Sequence, residues 1–489
     1  MNGEVAVARA TLNATLAWSR LGSRLEAHEL DERVATSKSM HRATSSNGHR
    51  HVSFVNHPEK ISVERQRTFR FRDDNAEVDG ALLMLNGHCR NLCDRVRCAD
   101  VGTRSVTYMQ FSAEHDEFRA VVRSFVENEV NPRVAEWEAA EMMPLHDIFS
   151  KMGSLGFLGL EYDTEFGGQG ADHLFTVILG EEFGRCDHGS LPMALGVQVD
   201  MATPSLAKFG TREQKAKYLA PALAGTNVCS IAVSEPDAGS DVAGIRTRAV
   251  RDGDQWVING SKMWITNSLQ ADWLCLLART SDEGGYHGMS QIIVPTDAPG
   301  FSVSKKLDKL GMRASDTGLL SFDDCRVPVE NTIGEIGRGF QQQMAQFVVE
   351  RMWAAYSTVG ACEVALQRTA EYLRERHAFG RPLLANQHLQ YTLAELSADL
   401  DLLRSYNYSI AEAYGRGEDT TRQATIAKLT AGRLIRRVAD TCLQYHGGMG
   451  YVEETWTARF FRDNRLSSIG GGADEVMLQV LARLDGFTA

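Results

Sequence analysis

The residue best suited by its surroundings to acid–base work is Glu350, which sits among Phe347, Val348, Val349, Met352 and Trp353. A carboxylate in apolar surroundings loses hydration, so its pKa rises, and a carboxylate titrating near neutrality is what a general base requires. The alternative is an exposed helix face on which Arg351 is merely a neighbour. The glycine groups Gly447-Gly448-Met449-Gly450 and Gly470-Gly471-Gly472 do not follow a strand in a βαβ unit, so neither is a dinucleotide fingerprint. Serine-hydrolase and zinc-hydrolase motifs are absent. His88 with Cys89, Cys93 and Cys98 invites a metal reading. That spacing lacks the Cys-x-x-Cys of a zinc knuckle and no second cluster follows, so no metal is expected.

These residues need a scaffold, and the chain is long enough to build one. Its 489 residues point to two to four folding units, and 43% hydrophobic with 24% charged residues is ordinary soluble-globular usage. No apolar run approaches the ~18–20 residues of a membrane helix. A net charge of -11 disfavours general nucleic-acid binding, because phosphate contacts want clustered Lys and Arg. Nine scattered cysteines fit a reducing compartment. Met1 to Trp18 lacks the basic start and apolar core of a signal peptide, and Glu4, Glu26, Glu29, Asp31 and Glu32 are too many acids for a good transit peptide. A cytoplasmic location is expected, with the mitochondrial matrix as the alternative.

Residues 1–108 mix charges without periodicity and are expected to form a poorly structured extension. Met109 opens a strongly patterned region, so an upstream start site is one origin of that extension. Residues 109–225 read as a helical domain. Ser112 is a candidate N-cap, and Phe118, Val121, Val122, Phe125, Val126 and Val130 follow at helix spacing. Residues 226–337 read as an antiparallel β-domain: Cys229–Val233, Gln255–Ile258, Lys262–Thr266, Trp273–Ala278, Gln291–Pro295 and Gly318–Phe322 are β-rich runs. Turn signals at Asp252-Gly253-Asp254 and Asn259-Gly260 divide them. Helical periodicity returns over 338–489. The predicted class is α+β multidomain, ordered helices, sheet, helices.

Several stretches taken together resemble the acyl-CoA dehydrogenase family. They are Val233-Ser-Glu-Pro-Asp-Ala-Gly-Ser-Asp241, Asn259-Gly-Ser-Lys-Met-Trp-Ile-Thr-Asn267, Lys309-Leu-Gly-Met-Arg313, Arg376-His-Ala-Phe-Gly380 and Gln444-Tyr-His-Gly-Gly448. They keep family order over roughly three-quarters of the chain. The resemblance implies an N-terminal helical domain, a middle β-domain and a C-terminal four-helix bundle, with FAD as cofactor. It implies that Ile231, Val233 and Ser234 line the isoalloxazine ring, that Trp264 flanks it and that Thr266 reaches its reactive edge. Taken singly, the two hydroxyls read as strand residues and the indole as core. Arg376, Phe379, Gln387, Gln444 and Gly448 match positions that grip the FAD pyrophosphate and adenosine, and all but Gln387 do so in a neighbouring subunit. An arginine fork suits phosphate oxygens. Glu475 is a further cofactor contact by the same resemblance, and Ser240, Arg351 and Gly472 are substrate contacts. A dimer is implied, and a homotetramer built as a pair of dimers.

One departure decides the chemistry. Many members carry the catalytic glutamate in a Tyr-Glu-Gly-Thr stretch, where this chain reads Ile469-Gly-Gly-Gly-Ala473 and places Gly471 at the glutamate position. The long-chain and isovaleryl-CoA branches use a glutamate before an arginine on an earlier bundle helix, which Glu350-Arg351 resembles. The resemblance leaves Gly471 its backbone N–H for the thioester carbonyl. Glu350 would take the α-proton while the β-hydride passes to flavin N5, giving a trans-2-enoyl-CoA. Ala473 replaces a threonine that touches FAD in relatives. The C-terminal text looks closest to citronellyl-CoA dehydrogenase-like members, which favours a branched or medium-to-long acyl chain in fatty-acid β-oxidation. An electron-transferring flavoprotein is the expected acceptor. The competing readings are an oxygen-reoxidised acyl-CoA oxidase-like flavoenzyme and a non-catalytic subunit that binds FAD or acyl-CoA.

Overall fold

The computed structural model describes residues 111–487. The expectations for residues 1–108, the cysteine trio among them, lie outside the described residues. Ser112 caps the first helix: its hydroxyl accepts the His115 backbone N–H, and His115 Nδ1 accepts the Ser112 N–H. From this box runs α1 (Ala113–Phe125), which buries Val122 and Phe125; the wide π-turn Val126–Val130 continues the buried face with Val126 and Val130. Helices α2 (Val134–Ala140) and α3 (Leu145–Ser154) follow. Next come α4 (His173–Gly184), α5 (Ser190–Gly196) and α6 (Pro204–Phe209). Trp137, Phe149, Phe157 and Phe183 form their common core. Helix α4 is buried on nearly every side, as expected of a helix apolar all round. Its two buried acids are answered by α1: Arg119 holds Glu181 at 2.7 Å, and Arg123 holds Glu182 at 2.7 Å.

The sheet has seven strands: β1 (Cys229–Ala232), β2 (Arg248–Asp252), β3 (Gln255–Thr266), β4 (Trp273–Arg279), β5 (Met289–Pro295), β6 (Phe301–Lys306) and β7 (Thr317–Pro328). Their order is β1-β4-β2-β3-β7-β6, with β5 paired to β4. Pairing is antiparallel except for β1 beside β4 and a single-residue contact of β2 with β4, which are parallel. Asp252-Gly253-Asp254 turns the chain as expected, but Asn259-Gly260 does not. There β3 runs on through a register shift against β7, and a Cβ on Gly260 would come within 2.8 Å of Thr247 Cα. The glycine allows close backbone approach at a bulge.

Helices return with α7 (Gly339–Glu375), whose 37 residues extend about 55 Å at the α-helical rise. After the small hairpin β8 (His377–Ala378) and β9 (Arg381–Pro382) come α8 (Gln387–Gly415) and α9 (Thr421–Tyr445). Last are α10 (Trp456–Asn464) and α11 (Asp474–Leu484). Tyr356, Leu400, Leu403, Ile435 and Val438 belong to the bundle core. Asp463 ties the three parts together, accepting Gly189 N–H at 2.9 Å and Met312 N–H at 2.5 Å.

The placement of α7 depends on glycine. Where it crosses α4, a Cβ on Gly184 would lie 2.0 Å from Ser357 O, and one on Gly360 would lie 1.8 Å from Glu181 O. The backbones touch, so neither helix can move aside locally. Gly360→Ala should therefore destabilise the fold by roughly 1–3 kcal/mol through overpacking. Thermal unfolding of the purified variant checks this, and an unchanged melting temperature would show that the crossing can relax.

Candidate active site

Glu350 lies in the first half of α7. It keeps a partial opening to solvent, yet protein atoms crowd its carboxyl. That crowding pushes its pKa up to about 7, with Arg351 and Lys428 pulling the other way. Directly opposite is Gly471, in the loop before α11, with φ at +64°. A Cβ placed there would stand 3.2 Å from Glu350 Oε1. The structure therefore brings together the two residues that the sequence singled out for catalysis. Gly471 N–H has no backbone hydrogen bond among the described residues. Gly472 follows with φ at +96°, and a Cβ on it would strike Met477 Cε at 2.4 Å.

Lys428 of α9 completes this cluster, and no sequence argument had found it. It is 2% exposed, and its ammonium donates to the Gly472 carbonyl. Burial lowers its pKa to about 8 against the opposing pull of Asp474 and Glu350. Its signal was present in the helix period, since Ala424, Ala427, Ala431 and Ile435 share its buried stripe. Arg351 is tied to α9, where its Nη1 donates to Thr425 Oγ1 at 3.1 Å. A carboxyl poised near neutrality beside a free N–H and a cation is equipped to remove a proton from a carbon acid.

A second group forms at the end of β1 and along β3. Ile231 is half-buried, Val233 is buried and Ser234 half-buried. Lys262, another fully buried lysine, donates to Val233 O at 2.8 Å and to Glu235 Oε1 at 2.9 Å. Glu235 in turn accepts the Thr247 N–H at 2.9 Å, so the turn after Val233 is fixed from both sides. Trp264 is 59% exposed and held at φ +68°, next to a register shift in β3. An indole displayed to solvent on a left-handed backbone is costly and points to a planar ligand stacking there. Thr266 ends the same strand, half-buried, and Ser240 lies exposed in the loop after β1.

Arg376, Phe379, Gln387, Gln444 and Gly448 cluster elsewhere, all exposed, around the far end of α7. Arg376 caps α7 about 39 Å along the helix from Glu350. It forms no ion pair among the described residues, so its fork is available to an anion. Phe379, fully exposed at φ +52°, tips the β8–β9 hairpin with Gly380 at +76°. Gln387 donates to Tyr391 Oη, and Gly448 has open space around its Cα. Glu475 is exposed in the first turn of α11. One chain thus separates Arg376, Phe379, Gln387, Gln444 and Gly448 from the Glu350 cluster, whereas Glu475 lies close to it, near enough to act on Lys428. Their types, an unpaired arginine, two amides and a bared aromatic, suit the phosphates and adenine of a dinucleotide.

A cavity of about 530 Å³ opens beside the base, lined by Val348 and Val349 of α7 and by Phe157, Leu160, Leu179 and Val199 of the N-terminal helices. These apolar residues suit an aliphatic chain, while Glu161, Asp200, Lys208 and Gln346 are among the polar residues on the same walls. A smaller cavity of about 140 Å³ lies among the Arg119, Arg123, Glu181 and Glu182 ion pairs and belongs to that structural network. Among the described residues no cluster of metal-ligating side chains occurs, and no helix is long and apolar enough to cross a membrane.

Three family models match successive parts of the chain. They are the acyl-CoA dehydrogenase N-terminal domain over residues 112–226, the middle domain over 230–325 and the C-terminal domain over 337–484. The mouse mitochondrial long-chain specific acyl-CoA dehydrogenase is 36% identical over 391 residues, 79% of this chain and 89% of its own. Isovaleryl-CoA dehydrogenase of Solanum tuberosum is 35% identical over 378 residues, covering 77% and 92%. The crystal structure of an acyl-CoA dehydrogenase from Geobacillus kaustophilus superposes with a TM-score of 0.75 at 36% identity, covering 77% of this chain and 99% of that one.

The raised pKa of Glu350 has a consequence for stability. Its carboxyl binds a proton more readily in the folded state than at the ordinary value of 4.5, so stability falls as pH rises from about 4.5 to about 7. Glu350→Gln removes that penalty. At pH 8 the variant should be more stable than the parent by on the order of 1–3 kcal/mol, with the difference vanishing toward pH 4.5. Melting curves across that range check it; a gap independent of pH would show that Glu350 is not held protonated by its surroundings.

Proposed function

The chain belongs to the acyl-CoA dehydrogenase family, and on that premise we propose that it oxidises an acyl-CoA to the trans-2-enoyl-CoA with Glu350 as the α-proton base. The observation that carries this reading is the contact of Glu350 with the loop at Gly471, together with a pKa raised to about 7. At that value a large fraction of the carboxylate is free to accept a proton at neutral pH. Gly471 offers its N–H to the thioester carbonyl, which acidifies the α-carbon by stabilising the developing enolate oxygen. Lys428 keeps this loop in place through the Gly472 carbonyl. Gly472 and Ser240 are further proposed substrate contacts. Arg351, bonded to Thr425, is better placed to hold the helix than to touch the thioester.

FAD, when bound, supplies the two-electron acceptor for the β-hydride. Ile231, Val233, Ser234, Trp264 and Thr266 would hold its ring system, and Lys262 keeps their turn rigid. Glu475 is a further proposed cofactor contact, and Arg376, Phe379, Gln387, Gln444 and Gly448 would hold its nucleotide part. The distance of these five from Glu350 supports a site completed by a second subunit and hence a homodimer or a homotetramer of two dimers. An electron-transferring flavoprotein is the proposed acceptor of the electrons, and a branched or medium-to-long acyl chain fits the apolar part of the cavity. The proposed domain limits remain 109–225, 226–337 and 338–489.

The test is anaerobic titration of the flavoprotein with acyl-CoAs, followed at the flavin absorbance. Bleaching is expected with the parent, whereas Glu350→Gln should slow it by about 10²–10⁴-fold while FAD stays bound. Equal bleaching by the variant would remove Glu350 from the role of base. Rapid peroxide formation on admitting air would favour an oxidase instead.

A further inference from the structure

The cavity beside Glu350 is not uniformly apolar. Asp200 lines it and is 5% exposed, and its Oδ2 has no hydrogen-bond partner among the described residues. Asp200 belongs to the π-turn Val197–Ala202, whose wide geometry leaves carbonyls without their usual helical donors. Those carbonyls are satisfied by fixed neighbours. Tyr162 donates to Val199 O at 2.5 Å, and Thr203 donates to Gln198 O at 2.9 Å. The turn is therefore held in shape, and the hydroxyl nearest to hand is spent on the backbone. Glu161 on the same wall is better provided for, with His173 Nδ1 at 2.7 Å and Thr176 Oγ1 at 2.5 Å. His173 in turn meets Tyr356 Oη at 3.0 Å. Gln342 Oε1, Gln346 Nε2 and Thr420 Oγ1 on the same cavity are likewise without partners among the described residues, and Asp200 is the one carboxylate of the four.

An unanswered buried carboxyl destabilises a fold, so its retention in a substrate cavity calls for a ligand group that answers it. We infer that the acyl chain accepted here carries a hydrogen-bond donor, a hydroxyl or an amino group beyond the β-carbon, which docks on Asp200. The inference deepens the dehydrogenase reading and rests on it. A plain alkyl chain would leave the Asp200 carboxyl unanswered, whereas a substituted chain would supply it with a hydrogen-bond partner. Burial above all, and then the charges of Glu161 and Glu350, hold the Asp200 pKa well above the carboxylate range. In its protonated form it can exchange hydrogen bonds with a hydroxyl, and it can release its proton to accept an ammonium.

The experiment uses the FAD-loaded enzyme with a straight-chain acyl-CoA and counterparts of equal length bearing one hydroxyl or one amino group, stepped along the chain beyond the β-carbon. At least one substituted thioester should exceed the plain one by about tenfold or more in kcat/KM. Its affinity for Glu350→Gln, measured by calorimetry without turnover, should rise in parallel. Asp200→Leu should remove or invert the preference, and Asp200→Asn should keep it for a hydroxyl while losing it for an amine. A wild-type enzyme that handles the plain chain as well as every substituted one overturns the inference, as does an unchanged preference in Asp200→Leu. The wild-type panel decides even where that variant does not fold. Bleaching by plain chains alone defeats only this inference; no bleaching by any thioester defeats the dehydrogenase reading beneath it.

Discussion

A carboxylate at position 350 and a side chain at position 471 compete for one volume. The space in which a Cβ on residue 471 would sit is bounded at 3.2 Å by Glu350 Oε1, and the backbone there is already left-handed. Glycine is the residue that meets both demands. The glycine loop and the acidic helix are thus one arrangement: bareness on one side makes room for the acid on the other. The loop N–H remains, because it belongs to the backbone and not to the missing side chain.

Two buried lysines serve this arrangement from opposite directions. Lys428 holds the Gly472 carbonyl under α9, and Lys262 holds the Val233 carbonyl under the sheet. Each has a pKa lowered to about 8 by burial, so each retains its charge at neutral pH only because carboxylates stand nearby. Glu235 serves Lys262 at 2.9 Å, while Asp474 and Glu350 act on Lys428 through space. The chain spends cations on its own carbonyls at the two turns where a ligand would have to meet an immobile backbone.

Much of this was legible in the sequence. The order helices, sheet, helices followed from hydrophobic periods, and Ser112 was visible as a cap. Glu350 stood out because a lone acid among Val349, Met352 and Trp353 breaks the rule of polar faces. Other parts were hidden for physical reasons. Strand β6 was missed because the alternation of Phe301-Ser-Val-Ser304 is short and the edge strand buries none of its residues, and β2 likewise shows a single buried residue. Asn259-Gly260 mimicked a hairpin turn because a bulge and a turn use the same residue types. Lys262 and Lys428 were passed over because lysine is usually a surface residue, and only its place in an apolar stripe argued otherwise. Asp200 was invisible because a π-turn shifts a residue off the helical period that sequence reading assumes.

The long helix also has a mechanical meaning. Glu350 and Arg376 are set on a single α-helix, so their separation is a property of helical rise rather than of loops that could adjust. A lever of about 39 Å magnifies small errors: a tilt of about 5° at one end displaces the other by roughly 3 Å. Backbone contact at Gly184 and Gly360 works as the fulcrum, since it leaves the rod no slack where the two helices cross. Positional tolerance at one end of the molecule is therefore set by a few missing methyl groups near its middle.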